Sequence, residues 1–66
     1  MIHVLQEGAG WTVTRDGRIV TEDVLGSGVP SSGVHKTKGS AYRYARMIAL
    51  TDETIEVDGG VEDIDD

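Results

Sequence analysis

Two short runs of alternating residues meet at Asp16-Gly17, and that junction restricts the chain more than any other feature. In Trp11-Thr12-Val13-Thr14-Arg15 the apolar residues recur with period two. Trp11 and Val13 therefore share one face of a strand, and Thr12 and Thr14 the other. Asp-Gly between such runs is a strong hairpin signal, because glycine supplies the positive φ that a two-residue turn needs. Arg18-Ile19-Val20-Thr21 is expected to return as the antiparallel partner. Upstream, Ile2 to Gln6 reads as a strand with Ile2, Val4 and Gln6 on one face and His3 and Leu5 on the other, closed by a turn at Gly8-Ala9-Gly10.

The second half changes period. Ala41, Tyr44, Ala45 and Ile48 recur at helical spacing, and Thr37 is placed to cap the first turn, so a helix is expected over about 38–50. Gly39 weakens its start by up to about 1 kcal/mol relative to Ala. Between the hairpin and the helix, 25–33 is expected to be a flexible Gly/Ser loop, followed by a short extended piece at Val34-His35-Lys36. Thr54 to Asp58 alternates again with Ile55 and Val57 inward. Gly59-Gly60 is a second turn signal, Val61 and Ile64 are candidates for a further short edge strand, and 65–66 is expected to be a frayed acidic tail. The expectation is one α+β domain over 1–66: a small antiparallel sheet in the order β-β-β-α-β with the helix packed on one face. The opposite face then needs solvent or a second copy.

At 66 residues the chain has a thin stability margin, since a domain of this size buries only about 60% of its unfolded surface. It has no Phe and no Cys, which excludes a disulfide and thiol chemistry, and two His make a structural metal a poor prospect. Self-association is the remaining staple, and a homodimer is the expected partner arrangement. The formal charge is −6, with 12 acids against 6 bases. That balance opposes long-range attraction to nucleic acid and anionic membranes. The Asp-rich, Lys-poor composition resembles that of proteins from salt-loving organisms. There is no signal-like leader and no run near the roughly 20 apolar residues of a membrane span, so the expected location is the cytoplasm.

The words Ile2-His3-Val4, Gly10-Trp11-Thr12-Val13, Lys36-Thr37-Lys38, then Ala41, Ala45-Arg46 and Ala49, then Asp58-Gly59, follow one another in an order with a precedent. The chain resembles the small uncharacterised family known as domain of unknown function 2188. It differs from that pattern in its longer Gly/Ser segment before Lys36 and in Gly39. The resemblance implies no activity and no functional residue.

Candidate chemistry is sparse. Gly28 and Gly33 have phosphate-loop spacing, but Val34-His35 separates them from Lys36, where that loop requires Lys directly after the second Gly. His3 and His35 lack the spacing of metal ligands and are expected to be solvated or half-buried strand residues. The acids after Asp52 lack calcium-loop spacing. Ser31, Ser32 and Ser40 have no nucleophile-elbow context. No catalytic, metal or cofactor residue is assigned, and the chain reads as non-enzymatic. Charge is segregated, however: four of the six bases lie in 36–46, and the chain from Asp52 onward is acidic. Lys36, Lys38, Arg43 and Arg46, with Tyr42 beside them, form a candidate basic face. Such a face would pair with acids of the same or a neighbouring subunit or, as the alternative function, grip a phosphate backbone. Trp11 is expected as a core anchor, with an interface anchor as its other role. The function expected is that of a self-associating interaction module.

Overall fold

The computed structural model describes residues 1–62 and 64. Its strands are β1 (Ile2–Glu7), β2 (Gly10–Arg15), β3 (Arg18–Ile19), β4 (Val34–His35) and β5 (Ile55–Val57), with the helix α1 (Lys38–Ile48) between β4 and β5 and a 3-10 turn at Val24–Gly26. Among the described residues this is the expected α+β fold, a sheet with one helix packed against it.

The alternation at 11–15 forms β2, the centre of the sheet. It pairs antiparallel with β1 in the register Val4↔Val13, and with β3 through Thr14↔Ile19 and Arg15↔Arg18. Asp16 and Gly17 sit at φ 53° and 83°, the doubly left-handed turn that an Asp-Gly hairpin adopts. The strand β3 is shorter than expected. Val20 continues the ladder only by donating its N–H to the Val13 carbonyl at 2.8 Å. After the 3-10 turn the chain comes back to the same edge of β2 as β4, pairing Trp11↔His35 and Thr12↔Val34. Gly10 permits that approach: a Cβ there would lie 2.5 Å from Val34 Cγ1 and 2.7 Å from the His35 carbonyl oxygen.

One pairing differs from an all-antiparallel sheet. The strand β5 lies beside β1 and runs parallel to it, Ile2↔Ile55 and Val4↔Val57, which makes the sheet mixed, in the order β3-β2-β1-β5 with β4 also on β2. The reason lies in α1. Its 11 residues carry the chain about 16 Å back across the sheet, so the next strand starts from the same end as β4 and runs the same way. The segment after Gly60 is not the further edge strand expected there: Val61 and Ile64 lie outside any strand, with Ile64 N–H donating to the Val61 carbonyl at 3.2 Å. The frayed tail expected at 65–66 lies outside the described residues.

The helix forms where its stripe predicts. The Thr37 hydroxyl accepts from the Ser40 N–H at 3.0 Å, and Ala41, Tyr44, Ala45 and Ile48 are all buried. It stops at Ile48, short of Leu50, with Ala49 already extended at ψ 135°. With Ile2, Val4 and Val13 these side chains make the core, edged by Trp11, Ile55 and Val57. Two small alanines in the stripe bring the helix backbone close to the sheet.

Candidate functional site

Because β-strand side chains alternate, the residues between the core positions project from the sheet face opposite α1. They are His3 and Leu5 on β1, Thr12 and Thr14 on β2, Ile19 on β3, Val34 on β4 and Glu56 on β5, as the registers Leu5↔Thr12, Thr14↔Ile19, Thr12↔Val34 and His3↔Glu56 require. Among the described residues no helix or strand lies over this face. Thr12 and Thr14 are nevertheless only 2% and 8% exposed, because they sit low between larger neighbours on adjacent strands. Thr14 Oγ1 reaches the His3 carbonyl at 3.5 Å. Ile19 and Val34 border this floor along one side, where β3 and β4 share an edge of β2, 50% and 37% exposed, and Leu5 is half-buried across Thr12 from Val34. The face is a shallow apolar trough with a dry threonine floor and acids at its rim, Glu7 and Glu56.

The basic set from the sequence does not converge. Lys38 Nζ lies over the Trp11 ring, 5.5 Å from its centroid, at the corner where the Gly59 turn also passes. Trp11 is thus a half-buried wall at the edge of the core with a cation on it. Lys36 is exposed ahead of the helix. Tyr42, Arg43 and Arg46 do come together, with Met47, around an open cleft of about 300 Å³ on the outer side of α1. There Arg46 Cζ stands 5.9 Å from the Tyr42 ring centroid. The cleft is open to solvent, and its lining offers guanidinium, phenol and thioether groups without a nucleophile and base in contact.

Two polar groupings tie α1 to the sheet, one at its C-terminal turn and one beside β4. At one, Arg15 donates from Nε to Glu53 Oε2 at 2.9 Å, and from Nη2 to Glu53 Oε1 at 2.7 Å and to the Ile48 carbonyl at 2.8 Å. Glu53 also accepts from the Leu50 N–H at 3.2 Å, and the N-terminal ammonium lies 3.7 Å away. The Arg15 hydrogen bonds hold the Glu53 carboxyl down to about 2 and raise the Arg15 guanidinium. Beside β4 the Tyr44 hydroxyl donates to the Glu22 carbonyl, and its ring lies against His35, tilted by 36° with 5.3 Å between centroids. Burial, with Glu22 and Asp23 nearby, raises the Tyr44 phenol.

His35 corrects the expectation of a solvated or half-buried histidine. It is 3% exposed, and its Nε2 is buried without a hydrogen-bond partner. The cause is the register Trp11↔His35, which sets it on the core side of β2, under Tyr44. Burial pushes its imidazole below the ordinary range. His3 is half-buried, as expected. No local signal in 31–38 marks His35 as buried, since the residues on both sides are polar or small. The open trough was half visible: alternation puts Thr12 and Thr14 on the second face, but the pairing of Val34 and Ile19 beside them is not local information.

Among the described residues, no group of three or more His, Cys, Asp or Glu is placed to hold a metal ion, and no helix is long and apolar enough to cross a membrane. Comparison with known proteins finds no matching family, no matching curated protein and no matching solved structure.

Proposed function

We propose that this chain is a small non-catalytic interaction module that self-associates through the sheet face opposite α1. The observation that carries the reading is the trough itself: Ile19 and Val34 stand 50% and 37% exposed along one side of a threonine floor that no second layer covers among the described residues. Covering such apolar side chains is favourable by about 25 cal/mol per Å² removed from water. With two six-residue strands at the centre and edge strands of only two or three residues, the face presents roughly 300 Å² of flat sheet, less than half of the 800 Å² per partner of a standard stable interface. The association is therefore of the transient class, rising with protein concentration and with salt, which screens the repulsion between two chains of charge −6.

Sedimentation over a concentration series at low and high salt tests this. The expected result is a reversible monomer–dimer equilibrium that Val34→Glu or Ile19→Glu shifts fully to monomer, with the fold retained. A wild-type chain that stays monomeric to millimolar concentration at high salt removes the reading.

The cleft of Tyr42, Arg43 and Arg46 favours a second reading, contact with a phosphate backbone. Two features weigh against it: Lys38 is turned to Trp11 and away from that cleft, and the net charge opposes a polyanion. Binding to mixed-sequence DNA or RNA at low salt, lost on Arg43→Glu with Arg46→Glu, would put it first.

A further inference from the structure

The strand β4 has two residues, and its two side chains go to opposite sides of the sheet. Val34 points outward into the trough and lies over Gly10 beside Thr12. His35 points inward, onto Tyr44, with Nε2 buried and unpartnered. We infer that His35 is a proton-operated latch on the self-association face: protonation drives its imidazole out of the core, peels β4 from β2 and withdraws Val34 from the trough, so that mild acid dissociates the protein. The last step rests on the self-association reading; the opening of β4 does not.

The neutral ring already leaves the buried Nε2 without a partner. A protonated ring has two donors and a charge, and both nitrogens then require acceptors. The groups facing it do not supply them. From α1 comes the Tyr44 ring, whose hydroxyl is committed to the Glu22 carbonyl. Also from α1, Lys38 stands over Trp11 with a charge of the same sign. From β2 come Trp11, the strand partner, and Arg15, whose charge reaches Tyr44. From the segment after β3 come Glu22 and Asp23, whose carboxylates bear on Tyr44. Asp23 already accepts from Ser27 Oγ at 3.1 Å and from the Gly28 N–H at 3.2 Å. Burial is accordingly what moves His35, with no carboxylate offsetting it.

The strand is also weakly held. The Val34 N–H donates to Ser32 Oγ at 3.3 Å, within its own turn. Gly33 is buried against Ile19, the other exposed apolar residue on that side of the trough. Release of β4 therefore disturbs Val34 and Ile19 together.

The test uses the full chain between about pH 8 and pH 5. The His35 imidazole is titrated by NMR, hydrogen-exchange protection is read at Gly33 to Lys36, and mass is measured by sedimentation in the same buffers. The expected result is a His35 midpoint below the ordinary value. Protection at Val34 and His35 should fall by up to about tenfold per pH unit from 6.5 down to that midpoint and level off beneath it, as opening linked to one proton requires, while protection at Val4 and Val13 holds. His35→Phe, or His35→Gln if the larger ring does not fit, should keep β4 closed and the mass unchanged down to pH 5. Protonation of His35 with undiminished protection at Val34 overturns the latch, as does the same loss of protection in both variants. A chain that is monomeric at pH 8 overturns the self-association reading alone, and the amide data still decide the latch.

Discussion

The two polar groupings that tie α1 to the sheet solve one problem in opposite ways. At the C-terminal end of the helix, Arg15 and Glu53 meet at the rim, where water reaches them, and every contact is charge-assisted: two hydrogen bonds to the carboxylate and one to the otherwise open Ile48 carbonyl. Beside β4, Tyr44 and His35 are within the core, and the contact is between two tilted rings with the buried Nε2 left unmet. The first grouping adds polar satisfaction between partly buried side chains. The second adds burial and leaves a polar defect. The core grouping therefore dominates stability, while the rim grouping sets where the helix stops.

The largest effect that breaks this comparison is Tyr44→Ala. It removes a side chain 3% exposed that fills the space between α1 and β4 and also anchors the Glu22 segment. Truncation of a buried aromatic costs about 3–5 kcal/mol. A domain of this size has a total stability near that figure. The expected outcome is loss of the cooperative thermal transition by circular dichroism at 25 °C.

Acid separates the two groupings by pH window. The unfolded imidazole titrates near 6.5 and the folded His35 lower, so below 6.5 the unfolded chain binds the extra proton. Stability is complete above that value and falls as the pH drops beneath it. Glu53 behaves alike in a lower window: its folded carboxyl is held down to about 2 against 4.5 unfolded, so its contribution is intact above 4.5 and is lost as the pH falls from there toward 2. Urea unfolding midpoints measured from pH 8 to pH 2 should decline in two stages, and His35→Phe should remove only the upper one. A single stage beginning below pH 4.5 in the wild type would contradict the burial of a neutral His35.

How much of this was legible follows from sequence distance. The stripe of Ala41, Tyr44, Ala45 and Ile48 and the Asp16-Gly17 turn depend on residues within one helical or hairpin repeat, and both are where the pattern puts them. The Arg15–Glu53 pair joins residues 38 apart, and β4 pairs with a strand more than 20 residues upstream, so neither leaves a local trace. The parallel β1–β5 pair follows from α1 reversing the chain, which fixes the direction of β5 but not the neighbour it chooses. The charge segregation was legible as composition, yet the structure divides it. Tyr42, Arg43 and Arg46 share the outer cleft, while Lys38 serves the Trp11 corner. Helical phase does not separate these, since Lys38 and Tyr42 are four residues apart on one face; the contact with Trp11, far away in sequence, does.

The smallest expected effect sharpens the role of the rim. Arg15→Lys keeps the charge but gives up the planar fork, and an ammonium cannot meet both Glu53 oxygens and the Ile48 carbonyl in the geometry a guanidinium holds. Because the pair lies at a wetted edge, water replaces part of what is lost, and the melting temperature should move far less than for any change at Tyr44. The local readings should move clearly. The Glu53 carboxyl should rise from about 2 toward its ordinary 4.5, measured by carboxyl carbon NMR titration. Hydrogen exchange should quicken at the Ala49 and Leu50 amides, because the acceptor that Arg15 orients also holds the Leu50 N–H. Were the Glu53 carboxyl to stay near 2 with Lys at 15, the Leu50 N–H and the N-terminal ammonium, at 3.2 and 3.7 Å, would be what holds it. The helix would then end there because of its own C-terminal turn, with no part played by β2.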